Sequence, residues 1–531
     1  MKKVWSALMI TAVLVGCSSG GANVAEVEVT ESDNFNKEGY PIVNESISLK
    51  IVSPKSSLAE DYNNMEVIKS LETLSNIQMN FTNIPEADYG TKKNLMLASG
   101  DLPDVFWNSG FSDYDLVKYG QEGLIIPLND LISEYMPNLS AEIEKDPTIL
   151  SKLTTPDGNI YSLPSIEEMG LTKAPFFTSV NKQWLDNLGL DMPTTPEEFK
   201  EVLIAFKTQD PNGNGIEDEI PFSFMHMGWC MDISDLMAAF GMPDNMDHRI
   251  VRDGEVIFTA VQEEYKEALK YFNELYELGL IDQESFTQDT SQYIAKGQNP
   301  DDILGSFVWW ETAEVVGTER AQNFEIMEPW YNKDGVRVTG RANGESFGRA
   351  AVVITSANQY VAETLRLIDM GYEKYISPQL NWGPEGDVFT RNEAGVLVMN
   401  DAPDGTTMGE YRQKVAPAGP FIIREKDFGV YVDMEARAQE RLAIVQDLFE
   451  PYMEEENYPL VFFSEEELET INFIEADIQS YVNTKRANWI IKGNIDSEWD
   501  GYIKELNKMG LDDLMEIYQN GLDRYNEAAQ K

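Results

Sequence analysis

Apolar and polar positions alternate over residues 47–52, and the run stops at Pro54, the pattern of a strand with one buried face. Residues 65–74 switch to helical spacing, 77–81 return to alternation, 92–98 are helical again, and 104–107 follow the Gly-Asp-Leu-Pro turn as a short strand. Strand–helix–strand order predicts an α/β chain with parallel pairing. Further strands are expected at 158–164, 176–180, 220–225 and 352–355, with a helix over 360–371. Thr195, Pro196 and Glu198 form a capping box with proline at the first helical position, ahead of Phe199, Val202, Leu203 and Phe206. Over 263–278, Tyr265, Leu269, Phe272 and Tyr276 share one helical face, and Gly279 ends the helix. The C-terminal part reads as helices over 435–450, from a Ser464–Glu467 capping box to about Arg486, and over 499–508.

The loop after the 196–208 region carries the first specific chemistry. Asp210, Asn212, Asn214 and Asp218 place oxygen side chains at alternate positions, with only the Ile216 carbonyl available between them and Glu219 adjoining. Gly213 and Gly215 allow the tight curl. Calcium takes about six to eight hard oxygen ligands, and an EF-hand loop supplies them at this spacing. The pattern departs from an EF-hand where Pro221 stands in place of the closing Glu, so Glu219 is left to complete the shell. An ordinary Asn/Gly turn accounts for the glycines but not for the alternate oxygens. The expected ion is structural Ca²⁺, stapling a helix to a strand.

At the N-terminus, Lys2 and Lys3 precede an apolar run over 4–15 that is too short to span a bilayer. Leu14-Val15-Gly16-Cys17 resembles the bacterial lipobox, which implies a signal peptide over 1–16, cleavage before Cys17 and diacylation of its sulfur. Residues 17–44 are expected to be a polar tether, holding an exported protein on the outer face of the membrane through lipid alone.

Composition narrows the function. A chain of 531 residues exceeds one ordinary core. Loss of Lys2 and Lys3 with the leader leaves 39 basic against 91 acidic residues, a net −52 that disfavours nucleic acid and anionic lipid. With Cys17 lipidated, Cys230 is alone and no intramolecular disulfide forms; His226 and His248 are too few for a His-based metal centre.

Several passages resemble an extracellular solute-binding lipoprotein of a carbohydrate ABC importer, family 1, in the LipO-like branch related to alginate-oligosaccharide-binding proteins. They are Gly100-Asp-Leu-Pro-Asp-Val-Phe-Trp107, the stretches 184–199, 275–282, 383–386 and 499–512, the lipobox and the oxygen-rich loop. The resemblance implies a two-lobed periplasmic-binding-protein-like α/β fold of type II, with a multi-stranded hinge and ligand between the lobes. It also implies a calcium site at Asp210, Asn212, Asn214, Ile216, Asp218 and Glu219, and permease subunits as partners of a monomer. The expected lobes are 45–167 with 350–400, and 168–349 with 401–531.

A pyranose ring presents an apolar face and a hydroxyl rim, met by aromatic planes and by Asp, Glu, Asn and Arg. The candidates at strand ends are Asp61 and Asn63, Trp107 and Asn108, Trp229, Trp309, Trp310 and Glu311, and Trp382 with Glu385. Adjacent Trp309 and Trp310 point oppositely on a strand, so one of them is expected to reach ligand. Arg349 is the main cation of the set, and the acidic remainder leans toward a neutral oligosaccharide over a uronate. A ligand-presenting sensor receptor and a lipid-anchored glycosidase are the alternatives. No nucleophile elbow, zinc motif or Walker loop supports an enzyme.

Overall fold

The computed structural model describes residues 29, 31–340, 346–403, 406, 408–454 and 457–529. The expected leader over 1–16 and Cys17 lie outside the described residues. Six described strands form the first sheet, in the order Ile422–Ile423, Leu163–Glu167, Ser346–Ile354, Val105–Trp107, Ile47–Lys55 and Ile77–Pro85. The last three run parallel, and Ser346–Ile354 is inserted antiparallel between Val105–Trp107 and Leu163–Glu167. Alternation is visible in the packing. Leu49, Ile51, Met79, Phe81, Val105, Trp107, Val352 and Ile354 face one core, while Val52, Ile84, Phe106 and Val353 face the other side of the sheet.

The second lobe is built on the sheet Ser306–Trp309, Phe177–Asn181 and Phe324–Ile326. Its core joins Trp184, Phe199, Phe206, Phe222 and Phe272 to the C-terminal helices Glu465–Lys492, Ile495–Met509 and Leu511–Ala529. The Ser464–Glu467 capping box forms as expected, with Glu467 N–H donating to Ser464 Oγ at 3.3 Å and Ser464 N–H donating to Glu467 Oε2 at 2.8 Å. Residues 220–225 pair only singly, at Ile220, Phe222 and Ser223, because Pro221 brings no N–H to a continuous ladder.

Two expectations about organisation change. Residues 31–44 are not a free tether: Ile42 and Val43 are fully buried, and the Ile42 N–H donates to the Ser75 carbonyl at 3.0 Å. Three apolar side chains, Phe35, Ile42 and Val43, gain more from burial than a short chain loses in freedom. The expected join at residue 401 is also displaced, since Ile422 and Ile423 pair with Ile166 and Glu167 in the first sheet. A strand of two residues leaves no period to read. The strand Ser346–Ile354 lies in the first sheet with Leu163–Glu167, and Val432–Asp433 pairs with Leu397–Met399 in a separate sheet.

Candidate functional site

A cavity of about 420 Å³ opens where the second lobe meets the segments joining the lobes. Pro175, Phe176, Gly340, Asn457 and Tyr458 line it from three separate segments of the chain. The second lobe adds Trp229, Asp232, Asp235, Asp244 and Arg249. Trp229 is 62% exposed and presents an aromatic plane at the rim.

The acids are fixed from behind. Asp232 accepts from Arg486 Nη2 at 2.6 Å, the Met227 N–H at 2.8 Å and Ser234 Oγ at 2.6 Å. Burial pushes its carboxyl up, but Arg486, His226 and the Ser234 hydroxyl outweigh that and hold it below the usual range. Asp244 is 2.9 Å from His248 Nδ1 and accepts from the Thr259 hydroxyl. Asp235 accepts from the Thr339 hydroxyl and the Gly340 N–H; burial, only partly offset by these donors, pushes it up to about 7. Arg249 stacks on Tyr518 at 3.6 Å and Tyr458 at 5.1 Å, donates to Glu475 at 3.0 Å, and keeps an Nε without a hydrogen-bond partner among the described residues. Each of these polar groups is thus oriented by protein contacts.

The nominated ligand residues divide. Trp229 lines the cavity. Trp107 is a core side chain, 2% exposed, edge-on to Phe81, with its Nε1 donating to the Pro417 carbonyl at 3.2 Å. Asn108 donates to the same carbonyl at 2.9 Å. Trp309 is buried, stacked on Tyr293 at 5.5 Å, and donates to Glu314 at 3.2 Å. Arg349 is consumed: it donates to the Lys152 carbonyl at 2.7 Å and the Leu460 carbonyl at 3.2 Å, pairs with Asp113 and lies 3.6 Å over Phe462. Asp61 caps the Tyr62–Asn64 turn, and Asn63 bonds the Phe81 backbone in both directions. Glu385 is taken by Arg391 in a two-pronged pair at 2.8 and 2.6 Å. Trp382 is half-buried under Arg412, 4.4 Å from its ring. Trp310 and Glu311 stand together at the end of Ser306–Trp309, beside Arg437 and Arg441.

Residues 71–285 match the family model of bacterial extracellular solute-binding proteins. The fructooligosaccharide ABC transporter substrate-binding protein FusA of Streptococcus pneumoniae serotype 4 is 40% identical over 98% of both chains. The chain is a bacterial extracellular solute-binding protein. Lipoprotein LipO of Bacillus subtilis is 26% identical over 98% of this solute-binding protein and 95% of its own length. A solved structure of S. pneumoniae FusA in complex with kestose superposes with a TM-score of 0.79 at 40% identity, covering 91% of this chain and all of that one. An EF-hand mutant of FusA in complex with fructo-nystose superposes equally well, at 39% identity and the same coverage. Members of the family bind solute for ABC importers and are not enzymes, and no described helix of this one is long and apolar enough to cross a membrane.

In this solute-binding protein the 210–219 loop curls as its glycines require. Gly213 and Gly215 have φ of +71° and +77°, and Asp210 itself adopts +47°. Asp210 accepts from the Gly215 N–H at 3.1 Å, Asn212 from the Asn214 N–H at 3.1 Å, and Asn214 from the Ile216 N–H at 2.7 Å. Glu219 Oε1 is buried without a hydrogen-bond partner among the described residues. Burial, then Asp218 and Asp210, push its carboxyl up. No three His, Cys, Asp or Glu side chains among the described residues converge as a metal cage, so Asp210, Asp218 and Glu219 are not drawn together around one point.

Sequence reasoning passed over Phe176, Asp232, Asp235, Asp244, Arg249 and Tyr458. Asp232 and Asp235 lie three and six residues after Trp229, and Asp244 and Arg249 follow within twenty; Phe176 and Tyr458 are brought in from distant segments by the fold.

Proposed function

We propose that this protein captures a neutral fructooligosaccharide in the cavity between the second lobe and the hinge and hands it to the permease of an ABC importer. The carrying observation is the lining. Trp229, Phe176 and Tyr458 offer apolar planes, and the oriented carboxylates of Asp232, Asp235 and Asp244 offer acceptors for hydroxyls. The described lining has five acidic side chains, Asp232, Asp235, Asp244, Asp247 and Glu454, against Arg249 alone, which penalises a uronate. Arg349, the cation that would have favoured one, is buried in structural contacts. The 40% identity with the fructooligosaccharide-binding FusA supports the same class of sugar. Calorimetric titration with kestose, nystose and a matched oligogalacturonate tests this. Binding of the fructans and not of the uronate is expected, and the reverse order removes the reading.

The 210–219 loop supports a structural Ca²⁺ held by Asp210, Asn212, Asn214, the Ile216 carbonyl, Asp218 and Glu219. The orphaned, buried Glu219 oxygen facing Asp210 and Asp218 fits a cation better than an empty turn. The EF-hand of the fructan-binding relative supports this too. Cys17 is the proposed lipid anchor on the outer face of the membrane. Cys17→Ser is expected to move the protein from the membrane fraction to the medium with its sugar affinity unchanged.

A further inference from the structure

Residues 31–44 close on themselves as a hairpin. Phe35 faces Val43 across an antiparallel bridge, the Asn36 N–H donates to the Ile42 carbonyl at 2.8 Å, and the Asn44 N–H donates to the Asn34 carbonyl at 3.0 Å. Ile42 and Val43 enter the first lobe's core, Val29 packs against it, and Phe35 stands edge-on to Tyr135 at 6.0 Å. Polar contacts hold the rim. Ser32 Oγ donates to Glu363 at 3.0 Å, and Lys37 pairs with Glu134 at 2.9 Å. Asn76 donates to the Val43 carbonyl at 3.1 Å, and Arg366 to the Gly39 carbonyl at 3.2 Å. None of the hairpin residues lines the cavity, so these contacts serve something other than sugar.

The hairpin sits at one end of the first sheet. Asn44 and Asn76 precede the parallel strands Ile47–Lys55 and Ile77–Pro85, so it covers their N-terminal ends. The chain passes to and from the second-lobe sheet at the opposite end. There Trp107 faces Val352, and Ser346 faces Glu167. Glu167 leads on to Phe177–Asn181, and Ser346 follows Phe324–Ile326. An anchor entering through the hairpin therefore pulls on the end of the first lobe that lies away from the second lobe.

Docking also shortens the chain left to reach a membrane. At about 3.6 Å per extended residue, Cys17 to Val29 spans at most about 45 Å, against about 100 Å from Cys17 to Glu45 with the hairpin open. Local concentration falls roughly as the −3/2 power of tether length, so that doubling dilutes the protein about threefold at the membrane surface.

We propose that residues 31–44 are an anchoring clasp, which fixes the lipid tether to the far end of the first lobe and halves its reach. The protein is thereby held close to a lipid surface while the second lobe and the cavity carry no load. The inference rests on Cys17 as the lipid anchor.

Lys37 makes the clasp measurable. It is the first basic residue after Lys3, and the next is Lys50 within the strand Ile47–Lys55, so trypsin frees the protein from a membrane by cutting at Lys37. Cleavage there follows the population of open clasp. Lipidated protein is placed on phosphatidylcholine vesicles carrying a headgroup-labelled acceptor lipid. The donor is attached at Glu144→Cys, an exposed position on the helix Pro137–Lys145, since Cys230 is buried and Cys17 is taken by lipid. The intact clasp is compared with Ile42→Ser/Val43→Ser, and with an intact clasp carrying a Gly/Ser run as long as residues 31–44 inserted after Gly21. Energy transfer is expected to fall by at least about half in both altered chains, because the reach doubles in each. Tryptic release is expected to quicken at least about tenfold in Ile42→Ser/Val43→Ser alone. Melting temperature and kestose affinity of each chain, made soluble by Cys17→Ser, check the fold, and Phe35→Ser replaces the double variant if that fails to fold. Cleavage of the intact clasp as fast as the variant overturns the proposal, as does unchanged transfer in a variant that is cut fast. If Cys17→Ser stays on the vesicles as wild type does, the anchor reading falls and the clasp with it, while kestose binding stands apart from every one of these results.

Discussion

Arg486, 1% exposed, donates through Nη2 to Asp232 at 2.6 Å, tying the long helix Glu465–Lys492 to the floor of the cavity. Removing one partner of a buried pair strands the other charge, at about 3–5 kcal/mol. Arg486→Met is expected to lower stability on that scale, read by denaturant unfolding, and to weaken sugar binding because Asp232 loses its orientation. Stability within about 1 kcal/mol of wild type would show the pair to be dispensable.

Two tryptophans should behave oppositely. Trp107 is buried, and a Cβ on Gly419 would meet its ring at 2.2 Å, so the site is filled to contact. Trp107→Ala should cost about 3–5 kcal/mol of stability. Trp229 is mostly exposed, so Trp229→Ala should leave stability nearly unchanged and weaken sugar binding by about 1–3 kcal/mol. Thermal unfolding and calorimetric titration of both variants separate the two roles.

Asp235 gives stability a defined pH dependence. Its carboxyl is pushed up to about 7 in the folded protein, against about 3.9 when unfolded. The folded state therefore holds the proton more tightly between those values, and the stability this group contributes falls as pH rises through the window. Asp369, up to about 6 by burial, acts in the same direction, and His226, down to about 4 by burial, acts in the opposite one. Comparing wild type with Asp235→Asn isolates the group. The variant is expected to gain stability relative to wild type on going from pH 5 to pH 8, and a constant difference across that range would rule the assignment out.

Calcium removal by a chelator should lower the melting temperature, because a cation bound only by the folded loop adds to folding free energy. Asp210→Ala should mimic chelation and make the protein insensitive to it. A melting temperature unmoved by both treatments would leave the loop a simple turn.

The local elements were legible because each rests on short-range chemistry. The Thr195 and Ser464 caps, the alternation of 47–52 and 77–81, and the apolar face of Glu263–Glu277 all formed where period and cap residues placed them. Cavity membership was not legible. Trp107, Trp309 and Trp229 look alike in sequence, and only packing made two of them core and one rim. Arg349 read as a free cation until Asp113, Lys152 and Leu460, far apart in the chain, were brought to it.

The sequence by itself determined the α/β alternation, the family, the spacing of oxygens in the 210–219 loop and the acidic character that favours a neutral ligand. The tertiary structure alone decided where residues 31–44 and 422–423 belong, and which carboxylates face the cavity. It alone set Arg437 and Arg441 against Glu311. The physical reason is range: periods, caps and ligand spacings act over a few residues, whereas burial and charge pairing join residues more than a hundred positions apart.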